Sequence, residues 1–227
     1  MNVLICVTEY YPDGSGIANV AYNVAENLKK LGVKCTICSP TGPDIKLGNP
    51  NLIKKFGIIG LLYYWYQVSI FFKNCSYDIA WLHNPLFIRK NPFNKYFITM
   101  HVTLNGVYER KVSRALYFHC YKYISAKIEK YSLEKLDPKS YYSCVSATVK
   151  RELIKLGVPV TQIELISNGV DTSHFCPAFD KKTTRKKLSL PENATIILFV
   201  GRLTPAKQPS VLIDLFSLLE KELCDVY

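Results

Sequence analysis

The opening of the chain constrains its fold more than any other feature. Val3 to Thr8 is an unbroken apolar run, as a parallel strand needs when both faces of its sheet are covered. A turn with Pro12, Gly14 and Gly16 follows. Ile17, Val20, Ala21, Val24, Leu28 and Leu31 then recur at helical spacing, and Gly32 supplies a stop. Val33 to Ser39 reads as the next strand. Strand, glycine-bearing turn, helix and strand, in that order, open a doubly wound α/β sheet.

The alternation continues downstream. Tyr77 to Leu82 and Tyr96 to Met100 read as strands, and Val112 to Lys135 as one long, basic, aromatic-rich helix. Tyr141 to Val145 is a strand ending at Ser146, which caps a helix from Ala147 to Leu156 that Gly157 closes. Ile163 to Ile166 is a further short strand. From Cys176 to Lys187 the chain turns polar and basic, as a linker does. A strand at Thr195–Val200 and a helix at Val211–Leu223 then start a second unit. The expected organisation is a Rossmann-like domain over 1–176, a linker over 177–193, and the incomplete start of a second Rossmann-like domain over 194–227. About forty residues are too few to fold unaided, and the strand at Thr195–Val200 would be a bare hydrophobic edge. The natural protein is therefore expected to continue past Tyr227.

The net charge of +11 invites comparison with nucleic-acid binders. Residues 1–100 carry ten Lys/Arg and five Asp/Glu, residues 101–180 eleven and eight, and residues 181–227 eight and five. The excess is spread along the chain, which suits anionic partners in general, and no nucleic-acid-binding signature is present. A nucleic-acid partner is not expected. No secretion signal precedes the eight cysteines, so a cytoplasmic location with reduced thiols is expected. Cys35 and Cys38 have metal-like spacing without a second pair. They lie in a strand, where residues three apart face opposite sides, so they are expected to be structural and no metal site is expected. Gly57 to Phe72 is strongly apolar but shorter than the ~20 residues a bilayer span needs. A buried helix is the first expectation; a helix dipping into a membrane interface, flanked by Lys54, Lys55 and Lys73, is the alternative.

Three groups of residues could carry chemistry. Gly14, Ser15 and Gly16 lie between the first strand and its helix, where free N–H groups favour an anion and glycine allows close approach. A nicotinamide cofactor does not fit, because Asn19 stands at the third glycine position and Ser39-Pro40 follows the second strand instead of an acid. His83 and His101 each end a strand, so two imidazoles are expected in the crevice at the carboxyl ends of the sheet. Arg202 and Lys207 flank the loop between the last strand and helix, an arrangement suited to a diphosphate.

These pieces together resemble family 4 glycosyltransferases of the two-domain GT-B fold. The resemblance rests on PDGSGIANVAYNVAENLKKLG, LHNP, ITMH and CVSATVKRELIKLGV, and most specifically on IELISNGVDTSHFCP followed by FVGRLTPAKQPSVLIDLF. It implies retaining transfer of a sugar from a nucleotide-sugar, as co-substrate, to a sugar or lipid-linked acceptor, with no metal or other cofactor. It implies that Gly16 approaches the donor phosphate, that His101 hydrogen-bonds the donor sugar as the catalytic histidine, and that Arg202 and Lys207 clamp the diphosphate. Gly14, Ser15 and His83 fall on the acceptor side of the cleft. Basic residues Arg110, Lys111, Arg114, Lys122, Lys127 and Lys130 would suit peripheral contact at the inner face of a membrane. The chain departs from the family at Ser15, where a glycine is usual, and at Val33, where a histidine is common. It also ends before the paired glutamates that grip the donor. Inactivity by itself, or dependence on a separate donor-domain chain, is expected on that ground; the alternative is a non-catalytic role in acceptor binding or membrane-surface docking.

Overall fold

In the computed structural model, residues 1–12, 14–110, 116–204 and 207–222 are described. They form two compact units, Met1–Asn168 and Gly169–Tyr227.

The first unit is built on six parallel strands: β1 (Asn2–Cys6), β2 (Lys34–Cys38), β3 (Ile79–His83), β4 (Tyr96–Met100), β5 (Tyr142–Cys144) and β6 (Ile163–Leu165). Their order is β2-β1-β3-β4-β5-β6. Successive side chains point to opposite faces, and the core divides accordingly. Val3, Ile5, Val7, Ile37 and Trp81 pack with Ala21 and Ala25 of α1 (Gly16–Lys30). Leu4, Cys6, Leu82, Ile98, Met100 and Cys144 pack on the other face with Tyr64, Trp65, Leu133, Val149 and Leu153. The sheet grows one way from β1 to β2 and the other way from β1 through β6. Right-handed crossovers then place α1 on one face and the later helices on the other.

Those later helices are α2 (Pro50–Phe56), α3 (Ile58–Phe71), α4 (Leu104–Glu109), α5 (Leu116–Glu134) and α6 (Ala147–Lys155). Asn49 caps α2 by accepting the N–H groups of Asn51 and Leu52, and Pro50 takes the first helical position, where its missing donor costs nothing. Gly60 lets α3 lie against α2: a Cβ there would come within 2.5 Å of the Ile53 backbone. Ser146 caps α6 through the Val149 N–H, and Gly157, at φ 96°, ends it. Cys35 packs on the α1 side of the sheet and Cys38 on the other, as the period of two requires.

The helix expected over Val112 to Lys135 is α5, described from Leu116 to Glu134, and a short helix the sequence reading did not include, α4, precedes it, started by Thr103 accepting the Gly106 N–H. Residues 111–115, including Lys111 and Arg114, lie outside the described ones. The polar linker contains a helix, α7 (Lys181–Lys187), capped by Asp180. In the second unit the strand expected over Thr195–Val200 is corrected: Thr195 makes an isolated bridge, residues 196–200 are without regular structure, and Leu198 and Val200 are exposed. A strand exists only with a neighbour to bond along its length, and residues 196–200 have no ladder partner among the described ones. Helix α8 (Pro209–Glu222) follows.

Candidate functional site

Strands β2 and β3 lie on either side of β1, so the chain leaves the carboxyl ends of β1 and β3 in opposite directions. A crevice opens at such a switch point, and Gly14, Ser15 and Gly16 border it. Gly14 has φ 137°, and a Cβ there would come within 2.8 Å of the Ala18 Cβ. Ser15 caps α1: its Oγ accepts the Ile17 N–H at 3.3 Å, while its own N–H donates to Glu9 Oε2 at 2.8 Å. Gly16 is the first residue of α1, and a Cβ on it would meet nothing within 4 Å among the described residues, which leaves its backbone open to a ligand on that side. Glu9 was not singled out from the sequence. Its carboxylate already holds one N–H at the helix entrance, so an incoming anion meets a negative neighbour there and gains most by approaching at Gly16.

The two histidines meet. His83 ends β3, His101 follows β4, and their rings stack 5.1 Å apart at 15° with His83 Nδ1 2.9 Å from His101 Nε2. The turn after His83 is fixed by Asn84, at φ 46°, whose N–H donates to the Thr99 carbonyl and whose Oδ1 accepts the His101 N–H at 2.8 Å. Trp81 lies against His83 at 4.2 Å and donates through Nε1–H to Thr99 Oγ1, itself bonded to Ser143. The sequence expectation that both rings face the crevice is corrected: His83 is 1% exposed and packed behind His101. The alternation that places residue 83 inward was visible in the sequence; the second ring lying over it was not.

Burial, and then the neighbouring His101, hold the His83 pKa well below the ordinary imidazole value; burial lowers that of His101 to about 4. Both are neutral near pH 7. One proton lies between them, and the surroundings choose its owner. His83 Nε2 is buried with no partner among the described residues. A proton there would be an orphaned buried N–H, a rarer arrangement than an unfilled acceptor. The proton of His83 therefore belongs on Nδ1, donating to His101 Nε2. That leaves the His101 proton on Nδ1, so His101 offers a neutral hydrogen-bond donor rather than a charge or an acid.

Beneath the loop that carries His101 lie two buried carboxylates that the sequence did not mark out. Glu129 of α5 accepts the Leu104 and Asn105 N–H groups at 2.8 and 2.9 Å, and burial pushes its pKa up to about 7. Glu152 of α6 accepts the Thr103 hydroxyl at 2.6 Å and Arg110 Nη2 at 3.2 Å. Arg110 is thus tied to Glu152 and does not belong to a free basic face as expected. Lys127 sits over the Tyr123 ring. In the second unit, Arg202 and Lys207 are both exposed on the turn that enters α8, held by Thr204 N–H to Arg202 O and Lys207 N–H to Thr204 O bonds of 2.8 and 2.9 Å.

The family model described as Glycosyltransferase Family 4 matches residues 14–174. D-inositol 3-phosphate glycosyltransferases are among the curated relatives. That of Salinispora tropica is 41% identical over 58 residues, covering 23% of this chain and 12% of the relative. That of Kineococcus radiotolerans is 38% identical over 65 residues, covering 28% and 15%. Among solved structures, a glycosyltransferase from Rickettsia africae ESF-5 matches 97% of this chain and 57% of its own, with TM-score 0.58 and 19% identity. Anabaena Alr3699/HepE in complex with UDP-glucose matches 100% of this chain and 59% of its own, with TM-score 0.58 and 12% identity. The chain therefore spans somewhat more than half the length of these structures. At such identities the likeness shows the GT-B fold alone.

Proposed function

The chain belongs to glycosyltransferase family 4, and from that membership we propose that it serves the transfer of a sugar from a nucleotide-sugar to an acceptor with retained anomeric configuration. The observation that carries this reading is the neutral, stacked histidine pair beside the switch-point crevice. Breaking the bond between sugar and diphosphate leaves negative charge on the phosphate oxygens. Cations and backbone N–H groups aimed at that charge lower the barrier. Arg202 and Lys207 are assigned that role, with the guanidinium forking across two oxygens and the ammonium acting as a point charge. Gly16 is assigned to the donor phosphate. These cations take the place a metal would fill, and no metal is required. His101, as a neutral donor, orients a sugar hydroxyl. It does not protonate a leaving group, since its depressed pKa leaves it uncharged at pH 7.

Gly14 and Ser15 fall on the acceptor side, with His83 holding His101 from behind. The acceptor is taken to be a sugar or a lipid-linked sugar presented at the inner face of a membrane. The names of similar proteins supply the first probes: UDP-glucose and UDP as donor-site ligands, and inositol 3-phosphate as an acceptor. These 227 residues alone are expected to be inactive, with transfer appearing when a separate donor-domain chain is added. The test is a nucleotide-sugar panel assayed with and without such a partner, with the product anomer read by NMR. A product of inverted configuration refutes retention. Failure of every donor both to bind and to react refutes the reading as a whole.

A further inference from the structure

The segment that leads from His101 into α4 is held by buried acids of two other helices. The His101 N–H donates to Asn84, and only Val102 and Thr103 separate His101 from α4. Glu129, 3% exposed, accepts the Leu104 N–H on Oε1 at 2.8 Å and the Asn105 N–H on Oε2 at 2.9 Å. Glu152, 6% exposed, accepts the Thr103 hydroxyl, and Thr103 Oγ1 accepts the Gly106 N–H at 2.9 Å. Side chains thus take the N–H groups of three successive residues, and a single carboxylate takes two of them.

Stability alone does not ask for Glu129. Ser15, Asn49 and Ser146 start α1, α2 and α6 with short neutral side chains, and Thr103 already does so for α4. A second, charged acceptor under the same turn must be stripped of water, which is unfavourable. What it adds is geometry. One acceptor leaves a turn free to swivel about a single bond. Two oxygens of one planar carboxylate, bonded to successive N–H groups, fix both distance and tilt.

We propose that Glu129 is a positioning residue for His101: its carboxylate fixes the first turn of α4 and, through the two-residue link, sets where the His101 ring stands in the crevice. This deepens the transferase reading and rests on it for what the ring then holds. The link is mechanical, since burial is what lowers the His101 pKa. A ring displaced by about 1 Å would lose its hydrogen bond to a sugar hydroxyl, and such an error can slow a reaction about a hundredfold. From α6, Glu129 faces Glu152, itself bonded to Arg110 at the end of α4; Glu109 of α4 is paired instead with Lys155. Burial raises the Glu129 pKa to about 7, the Asn105 and Leu104 N–H groups oppose the rise, and Glu152 adds to it. Glu129 therefore titrates where His101, at about 4, stays neutral.

The test is NMR of the ligand-free, nitrogen-15-labelled 227-residue chain between pH 5.5 and pH 8.5. The Leu104 and Asn105 amides are expected to report the titration of Glu129, and the His101 ring nitrogens to share its midpoint. Glu129→Gln keeps the volume and one acceptor. It should abolish that midpoint at all three residues, move the His101 ring resonances, and speed exchange at one of the two amides at least about tenfold. Its melting temperature at pH 8 should be no lower than that of the wild type, because the buried charge is gone. A purely structural role gives the reverse, a lower melt with His101 unmoved, and would overturn the proposal. So would an equal movement of His101 in the control Glu109→Gln. UDP-glucose is then titrated while the His101 ring is followed. Wild-type resonances that ignore it refute the sugar contact and leave the Glu129 link standing. A response about tenfold weaker in Glu129→Gln is expected, and an identical one overturns the positioning role.

Discussion

Replacing His83 with phenylalanine tests the neutral histidine pair directly. The substitution keeps an aromatic ring in the slot between Trp81 and His101 and removes both nitrogens. At pH 7 it removes one hydrogen bond and one unpartnered nitrogen, opposing effects of about 1–3 kcal/mol each, so stability should change little. The difference appears in acid. Folded His83 stays neutral, whereas in the unfolded chain it takes up a proton below its ordinary value near 6.5. A depressed folded pKa makes stability fall as pH drops below the unfolded value, at 1.36 kcal/mol per unit, so by pH 5 His83 costs about 2 kcal/mol. His101, at about 4, costs a similar ~2 kcal/mol over the same window. Glu129 acts in the opposite sense. Raised to about 7, it binds its proton in the folded state first and returns about 2 kcal/mol between pH 7 and pH 5. The wild type should therefore lose about 2 kcal/mol on acidification, and His83→Phe almost nothing. Both tryptophans, Trp65 and Trp81, lie in the first unit, so urea titrations followed by their fluorescence at the two pH values report that unit alone. Equal acid losses in variant and wild type would refute the buried neutral pair. Nitrogen-15 NMR of the ring nitrogens adds a check, with the His101 proton expected on Nδ1.

Other substitutions separate structure from function. Gly16→Ala places its methyl in open space, so the fold should be unchanged; if UDP-glucose affinity is also unchanged in titration calorimetry, Gly16 does not approach the donor phosphate. Arg202→Ala, at an exposed position, should leave melting intact and weaken UDP binding by roughly tenfold to a hundredfold, the range of a charge-assisted hydrogen bond. Gly106→Ala drives a methyl into the Glu152 carboxylate, which holds Thr103 and Arg110, and should cost about 2–4 kcal/mol by denaturant titration. Ser15→Ala removes the cap of α1 and should cost about 1 kcal/mol in the same measurement.

Local rules made much of the first unit legible. Tyr96–Met100 is a strand with the bounds its pattern suggests, and Ser146 caps the helix it precedes. Asn49-Pro50 is an equally plain helix start, a capping side chain followed by a proline at the first helical position. What local rules could not supply was company. Thr195–Val200 has strand composition, yet pairing belongs to whatever lies beside it. His83 and His101 were readable as strand ends, while their contact depends on β3 and β4 being neighbours in register. Lys73 lines one open cavity with Arg89, Lys90 and Asn91 across an intervening strand, a proximity no window of sequence contains. Glu9, Glu129 and Glu152 are not legible in the sequence, because an isolated acid carries no pattern until the chain brings its donors to it.

The free thiols give the molecule a built-in clock. Cys6, Cys38 and Cys144 are sealed inside the sheet, Cys35 and Cys75 are partly covered, and Cys120 and Cys176 stand open. Cys6 and Cys38 are paired in register at the carboxyl ends of β1 and β2, and the Tyr64 hydroxyl donates to the Cys38 carbonyl above them. An alkylating reagent must wait for the sheet to part before it reaches these sulfurs, so its rate at each one times a distinct opening event. Slower capture at Cys6 and Cys38 when a ligand is present would register, without any attached probe, how firmly that ligand closes the strand ends around it.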